Sequence, residues 1–168
     1  MGYLRRLPTR KYPNPRRPAE TIEMRDVTFA INILHRNMKE EYLRTYELSD
    51  GERPEIASYR LYGDPDHYWI LLLLNDAVDP MFDWYLSEEQ VKRLTFDRYG
   101  SLTDVHHYED NEGNWVDPEE HVGSPVVVRN IDFEMEENEK KKRIKAIKPK
   151  YIQKIISQLE SAVEATDE

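Results

Sequence analysis

Cysteine is absent from this 168-residue chain, which excludes disulfide staples and thiolate metal sites and fits assembly in a reducing cytoplasm. Glycine is scarce, six residues in all, and none of the six is spaced as a phosphate-cradling loop requires. Long apolar runs are missing too. The longest, residues 68–74, falls far short of the ~20 residues that a bilayer crossing needs, so no membrane role is expected. The N-terminal arginines are followed by no hydrophobic stretch, so no secretory signal is expected there. No serine sits in a nucleophile elbow, and no carboxylate lies in an apolar stretch that would raise its pKa for acid catalysis. The expectation is therefore a chain without enzyme activity, cofactor, metal or small-molecule substrate. His106 and His107 come closest to a ligand set. Neighbours on a strand point to opposite faces, so a shared ion would need a bulge, and a structural hairpin is expected instead.

What the chain does have is charge. Charged residues make up 34% and apolar residues 39%, a balance that predicts one small core carrying much peripheral surface. The net charge of −9 is unevenly spread: Arg5, Arg6, Arg10, Lys11, Arg16 and Arg17 fall within the first 19 residues, which hold no acid, leaving −15 on the rest. Four prolines, Pro8, Pro13, Pro15 and Pro18, make this basic arm read as an extended strap. Protein contact is favoured over plain disorder, and nucleic acid is not expected, because so acidic a body repels phosphate.

The organising stretch is residues 50–86. Pro54 suits a first helical turn and Gly63 a left-handed stop, which predicts a helix over 54–62. Asp64-Pro65 then offers an N-cap and first turn for a second helix over about 65–75. That helix contains seven successive large apolar residues, Tyr68 to Leu74. They cover every direction of the turn, so it must be buried on nearly all sides. Burying such a run yields roughly 10 to 20 kcal/mol before chain entropy is subtracted.

Around it, Phe29, Ile33, Leu34, Met38 and Tyr42 form a helical stripe over 29–42, and 43–48 alternates as a strand. A loop follows the second helix, with aromatics Phe82, Trp84 and Tyr85 that read as exposed. Ser87 and Gln90 form a capping box for a helix ending before Gly100. Residues 105–109 and 114–116 flank the turn signal Asp110-Asn111-Glu112-Gly113, and 126–129 reads as one more short strand. Residues 132–142 read as a solvated helix with Glu136–Lys140 and Glu137–Lys141 pairs. Residues 143–148 alternate as a strand, and Pro149 opens a helix with the stripe Ile152, Ile155, Ile156, Leu159 and Val163.

A strand, two short helices joined through Tyr62-Gly63 and a returning strand resemble the βααβ plan of a LysM domain. More specifically, RPEIASYRLYGDPDHYWILLLLNDAVDP, residues 53–80, resembles the core of the baseplate wedge subunit of contractile-tailed, T-even-type bacteriophages, the gene-fifty-three product family. Met24-Arg25-Asp26-Val27, Leu43-Arg44-Thr45-Tyr46, Trp84 with Ser87-Glu88-Glu89, and Asn138 through Ile147 look like family segments in the same order. Region 96–130 departs from the family pattern, so contacts made there are not carried over.

The resemblance implies an α+β fold: a small LysM-like βααβ core with an N-terminal extended arm and helix, an inserted β-hairpin region and a C-terminal helix. The expected division is 1–42 for the arm and helix, 43–95 with 143–148 for the core, 96–142 for the insertion and 149–168 for the last helix. It implies a structural subunit of the virion's tail baseplate, assembled in the host cytoplasm. Such a subunit joins wedge proteins into the ring around the hub. The implied partners are the other wedge proteins, neighbouring wedges and the sheath-initiating component. Arg5, Arg6, Arg16 and Arg17 are the expected charge contacts, and Phe82, Trp84 and Tyr85 the expected anchors. LysM domains elsewhere bind N-acetylglucosamine polymers, so a peptidoglycan-binding module is the alternative, drawing on residues near 51–55 and 77–80. The charged Glu52, Arg53 and Glu55 weigh against it.

Overall fold

The computed structural model describes residues 9–77, 79, 82–121 and 123–165, with backbone only at 25, 27, 163 and 164. The chain forms two compact units, one from 1–46, 53–80 and 144–168, the other from 47–52 and 81–143.

The first unit begins with two antiparallel strands, β1 (Thr9–Asn14) and β2 (Arg17–Arg25). The basic arm is thus extended, but it is folded back on itself rather than laid out as a strap. The cause is local. Asn14 Oδ1 accepts from the Arg16 N-H at 2.9 Å, closing a turn around Pro15, and Lys11 lies opposite Glu23 across the strands. Helix α1 (Val27–Asn37) starts earlier than its apolar stripe suggests, because Asp26 caps it by accepting from the Phe29 N-H. It ends earlier as well. The Asn37 amide bonds back to the Ile33 carbonyl at 2.9 Å, and Glu40–Tyr42 is a separate 3-10 turn.

Strand β3 (Leu43–Glu47) leads to α2 (Pro54–Tyr62), which stops at Gly63 in the left-handed conformation, φ 74°. Asp64 accepts from the Asp66 N-H, so the next helix opens as a 3-10 turn (Pro65–His67) before α3 (Tyr68–Leu74). Trp69, Ile70, Leu71, Leu72 and Leu74 are buried in α3, as the uninterrupted apolar run requires. Strand β7 (Arg143–Ile147) pairs with β3. Lys148 N donates to the Tyr42 carbonyl at one end and Leu48 N to the Lys142 carbonyl at the other, so the two run antiparallel. Asn75, just after α3, accepts from the Lys145 N-H and donates to the Lys145 carbonyl, tying the helix end to β7. Tyr62 Oη accepts from the Ile147 N-H at 3.1 Å, and burial pushes its phenol pKa up to about 12. The last helix, α6 (Pro149–Glu164), closes the core with Ile152, Ile155 and Leu159 against Leu34, Tyr42, Trp69, Ile70, Leu74 and Ile147.

The second unit holds α4 (Glu88–Tyr99), the three-stranded antiparallel sheet of β4 (Val105–Glu109), β5 (Trp115–Val116) and β6 (Val126–Arg129), in the order β5-β4-β6, and α5 (Asn130–Glu139). The capping box is present in both directions: Ser87 Oγ accepts from Gln90 N-H and Gln90 Oε1 from Ser87 N-H. In the hairpin turn, Asp110 Oδ1 accepts from the Glu112 and Asn114 N-H groups. Gly113 takes φ 82°, the geometry its position calls for.

Helix α5 differs from its expected form. It runs 130–139 and is not solvated all round: Asn130, Glu134 and Asn138, four residues apart, are buried. Asn130 Nδ2 donates to the Ser101 carbonyl at 3.0 Å. Glu134 accepts from Arg98 at 2.6 Å and from Tyr99 Oη at 2.9 Å. Asn138 holds both the N-H and the carbonyl of Leu86, at 2.9 and 2.8 Å. Of the two expected ion pairs, Glu136–Lys140 forms at 3.4 Å. Glu137 pairs with Lys140 instead of Lys141, whose ammonium donates to the Phe82 carbonyl.

Candidate functional site

A protein that works by binding should show exposed apolar anchors and exposed charge. The structure places the expected contact residues unevenly. Arg5 and Arg6 lie outside the described residues. Arg16 and Arg17 are exposed at the hairpin turn, and Arg17 makes a local ion pair with Glu20 at 3.2 Å. The hairpin pairs Arg10 with Met24 and Tyr12 with Ile22, so these four share one face. On that face Met24 is exposed and Tyr12 and Ile22 are half-buried.

The three loop aromatics separate. Phe82 is exposed, as expected. Trp84 is not: it is 3% exposed, and its indole Nε1 donates to the Glu52 carbonyl at 2.8 Å. An indole supplies more apolar surface to a core than any neighbour here, and its one polar atom finds a backbone acceptor. Tyr85 is half-buried with its hydroxyl 3.5 Å from Glu139 Oε2. Burial, and then the Glu139 charge, raise its pKa above the usual phenol value.

Tyr85 also borders a groove of about 490 Å³ in the second unit. Leu86 and Met135 contribute apolar surface, and Asp50, Glu88, Glu136 and Glu139 contribute carboxylates. Gly51 helps shape this region. Its φ is +62°, and a Cβ there would meet the Ser87 Cβ at 3.0 Å, while Asp50 Oδ1 accepts from the Glu88 N-H. Sequence reasoning passed over these acids because acids are abundant throughout the chain. Only their convergence distinguishes them, and three separate segments supply it: the loop at Asp50, the start of α4 at Glu88, and α5 with Glu136 and Glu139. Also unforeseen are Ile56 and Tyr59, one turn apart on α2 and 45% and 62% exposed.

The histidines do not behave as neighbours on a regular strand. A register irregularity in β4 between Val105 and His107 brings both rings to the same side, with His106 Nδ1 and His107 Nδ1 2.7 Å apart. The pair continues a polar chain: Tyr99 Oη lies 3.3 Å from His106 Nε2, and His107 Nε2 lies 2.8 Å from Glu109 Oε1. Phe133 stacks on His106 and Trp115 on His107, at centroid distances of 4.0 and 3.9 Å. Burial and the neighbouring His107 lower the His106 pKa, partly opposed by Glu134. Among the described residues, no three His, Asp or Glu side chains converge as a metal site. Near the positions that a sugar-binding use would draw on, Glu52 is buried and its carboxylate accepts from the Ser49 N-H. Residues 78 and 80 lie outside the described residues.

Residues 11–121 match the family model described as Base plate wedge protein 53. The chain is also 28% identical over 160 residues to the baseplate wedge protein gp53 of Enterobacteria phage T4, an alignment covering 77% of this chain and 82% of that protein.

Proposed function

The chain belongs to the Base plate wedge protein 53 family, which makes it a structural protein of a bacteriophage tail baseplate, and on that premise we propose that it joins wedge proteins into the ring around the hub during tail assembly in the host cytoplasm. The observation that carries the proposal is the reach of the family match, from the basic hairpin through the central helices to the second unit's sheet. The core of β3, α2, α3 and β7 is read as LysM-like, with the region 96–142 inserted in it.

The partners proposed are other wedge proteins, neighbouring wedges and the sheath-initiating component. Binding rather than catalysis is the mechanism. Arg16 and Arg17 supply exposed charge for register, and Phe82 and Tyr85 supply aromatic surface, with Arg5 and Arg6 as further charge contacts. Trp84 supports the loop from beneath by holding the Glu52 carbonyl.

Co-expression with the neighbouring wedge proteins, followed by size-exclusion chromatography, tests this reading. A co-eluting complex is expected, and Phe82→Ala should weaken it by about 1 to 2 kcal/mol, as loss of an exposed aromatic anchor does. Separate elution of every component would remove the reading's foundation.

A further inference from the structure

Two features of the chain carry complementary charge. One is the hairpin tip. The first 19 residues carry six positive charges and no acid, and Arg16 and Arg17 stand exposed at the turn between β1 and β2. Among the described residues the arm's ion pairs are local: Arg10 pairs with Asp26, Lys11 with Glu23 and Arg17 with Glu20. No described residue from Thr9 to Met24 is buried. A two-stranded hairpin without such burial is marginal on its own and gains most from a partner surface.

The other feature is the groove lined by Tyr85, Leu86 and Met135 with Asp50, Glu88, Glu136 and Glu139. Its volume of about 490 Å³ is in the range of side-chain and small-ligand pockets, roughly 300 to 1,000 Å³. Each of three rim carboxylates has a lysine within reach: Glu88 with Lys92, Glu136 with Lys140, Glu139 with Lys142. All three carboxylate side chains are more than half exposed, so these pairs contribute little stability. A planar guanidinium, which binds a carboxylate through two parallel hydrogen bonds, competes well with an ammonium there. The apolar wall takes the arginine methylene stem.

We propose that the hairpin tip of one copy, Arg16 with Arg17, docks in the acid-rimmed groove of a second copy of this chain. Charge complementarity selects that occupant, since the basic tip and a remainder of −15 are present in every copy at equal number. The contact is head-to-tail, so each copy still offers a free tip and a free groove, and repetition gives a ring where the rotation closes. The inference uses arginines that the wedge reading assigns to wedge partners, but its test requires no wedge protein.

Sedimentation velocity of the purified full chain tests it. Concentration-dependent association is expected at ~0.01 M salt, where charges act over about 30 Å, and weakening at ~0.15 M, where they act over about 8 Å. Arg16→Glu with Arg17→Glu should weaken association at least ten-fold, and so should Glu88→Lys with Glu136→Lys. The variant carrying all four changes should recover most of it. All four positions are exposed, so the variants should fold, which circular dichroism checks. A single monomeric species at low salt across all concentrations, an arm that docks only in its own copy's groove included, overturns the proposal. So does association that either pair of reversals leaves unchanged, or that the four-fold variant fails to recover. Co-elution with wedge proteins is read separately, so either idea can fall without the other.

Discussion

The two units solve the problem of a small core by different chemistry. In the first, Leu34, Trp69, Ile70, Leu74, Ile147, Ile152, Ile155 and Leu159 bury apolar surface, joined by Tyr42. Of the eight buried polar residues among those described, six fall in the second unit: Glu52, Thr95, His107, Asn130, Glu134 and Asn138. Apolar burial is non-directional, so such a core is specified by volume and tolerates conservative swaps. A polar core is specified by direction. Each partner removed leaves a buried donor or acceptor without its bond, at a cost greater than the bond contributed.

The largest effect should come from the apolar side. Ile70 is fully buried, and Ile70→Ala should cost about 4 kcal/mol of unfolding free energy in urea, through lost transfer energy and the cavity left behind. A cost under ~1 kcal/mol would break the comparison. Next comes a substitution on which the two kinds of core disagree. Asn138→Leu keeps the branched shape and heavy-atom count of the side chain and adds apolar surface, so a core held by apolar burial would accept it. Here it strips both the N-H and the carbonyl of Leu86 of their partner, and a loss of about 2 kcal/mol is expected. A stabilised protein would show that the second unit is held by packing after all. Ser87→Ala comes third at about 1 kcal/mol, by removing the cap on α4. Ser87→Thr, which keeps the hydroxyl, should recover most of it.

The same contrast explains what could be read from the sequence. The first unit was legible because its signals are local and periodic: Pro54 and Gly63 bound α2 to the residue, and the run from Tyr68 to Leu74 has no solvated face to offer. The capping box at Ser87 and the turn at residues 110–113 were legible in the second unit for the same reason. Asn130, Glu134 and Asn138 were not, because a polar stripe at spacing four looks the same in sequence whether it faces water or a backbone. Trp84 was misplaced by position, since its partner is a carbonyl 32 residues earlier. The groove was invisible because its carboxylates come from separate segments. The arm was half legible: its extension follows from proline and charge, whereas its reversal depends on one Asn14 side chain.

The smallest effect sharpens the polar side of the comparison through pH. His106 and His107 share one Nδ1···Nδ1 contact of 2.7 Å, which a single proton satisfies and two would turn into opposed N-H groups. The groups facing this pair are Tyr99 and Glu134 from the two helices, Arg98 behind Glu134, and Glu109 on the same strand. Burial first and His107 second lower the folded-state pKa of His106. The unfolded chain therefore takes up the proton earlier as pH falls. Stability from this group is fully present above the ordinary histidine value, about 6.5. It is lost as pH drops from there through the lowered folded value, and is flat below that. Carboxylates titrate near the lower end of the window, so the wild-type slope alone is not diagnostic. His106→Gln removes the titrating ring while keeping an amide to bond, and the difference in unfolding midpoint between the two proteins should shrink on acidification through the histidine range. Trp115, stacked on His107, gives a local check: its fluorescence should shift over the same range in the wild type and not in the variant. Equal pH dependence of the two proteins would mean that His106 contributes nothing to stability through its proton, and that the second unit's polar core ends at Glu134.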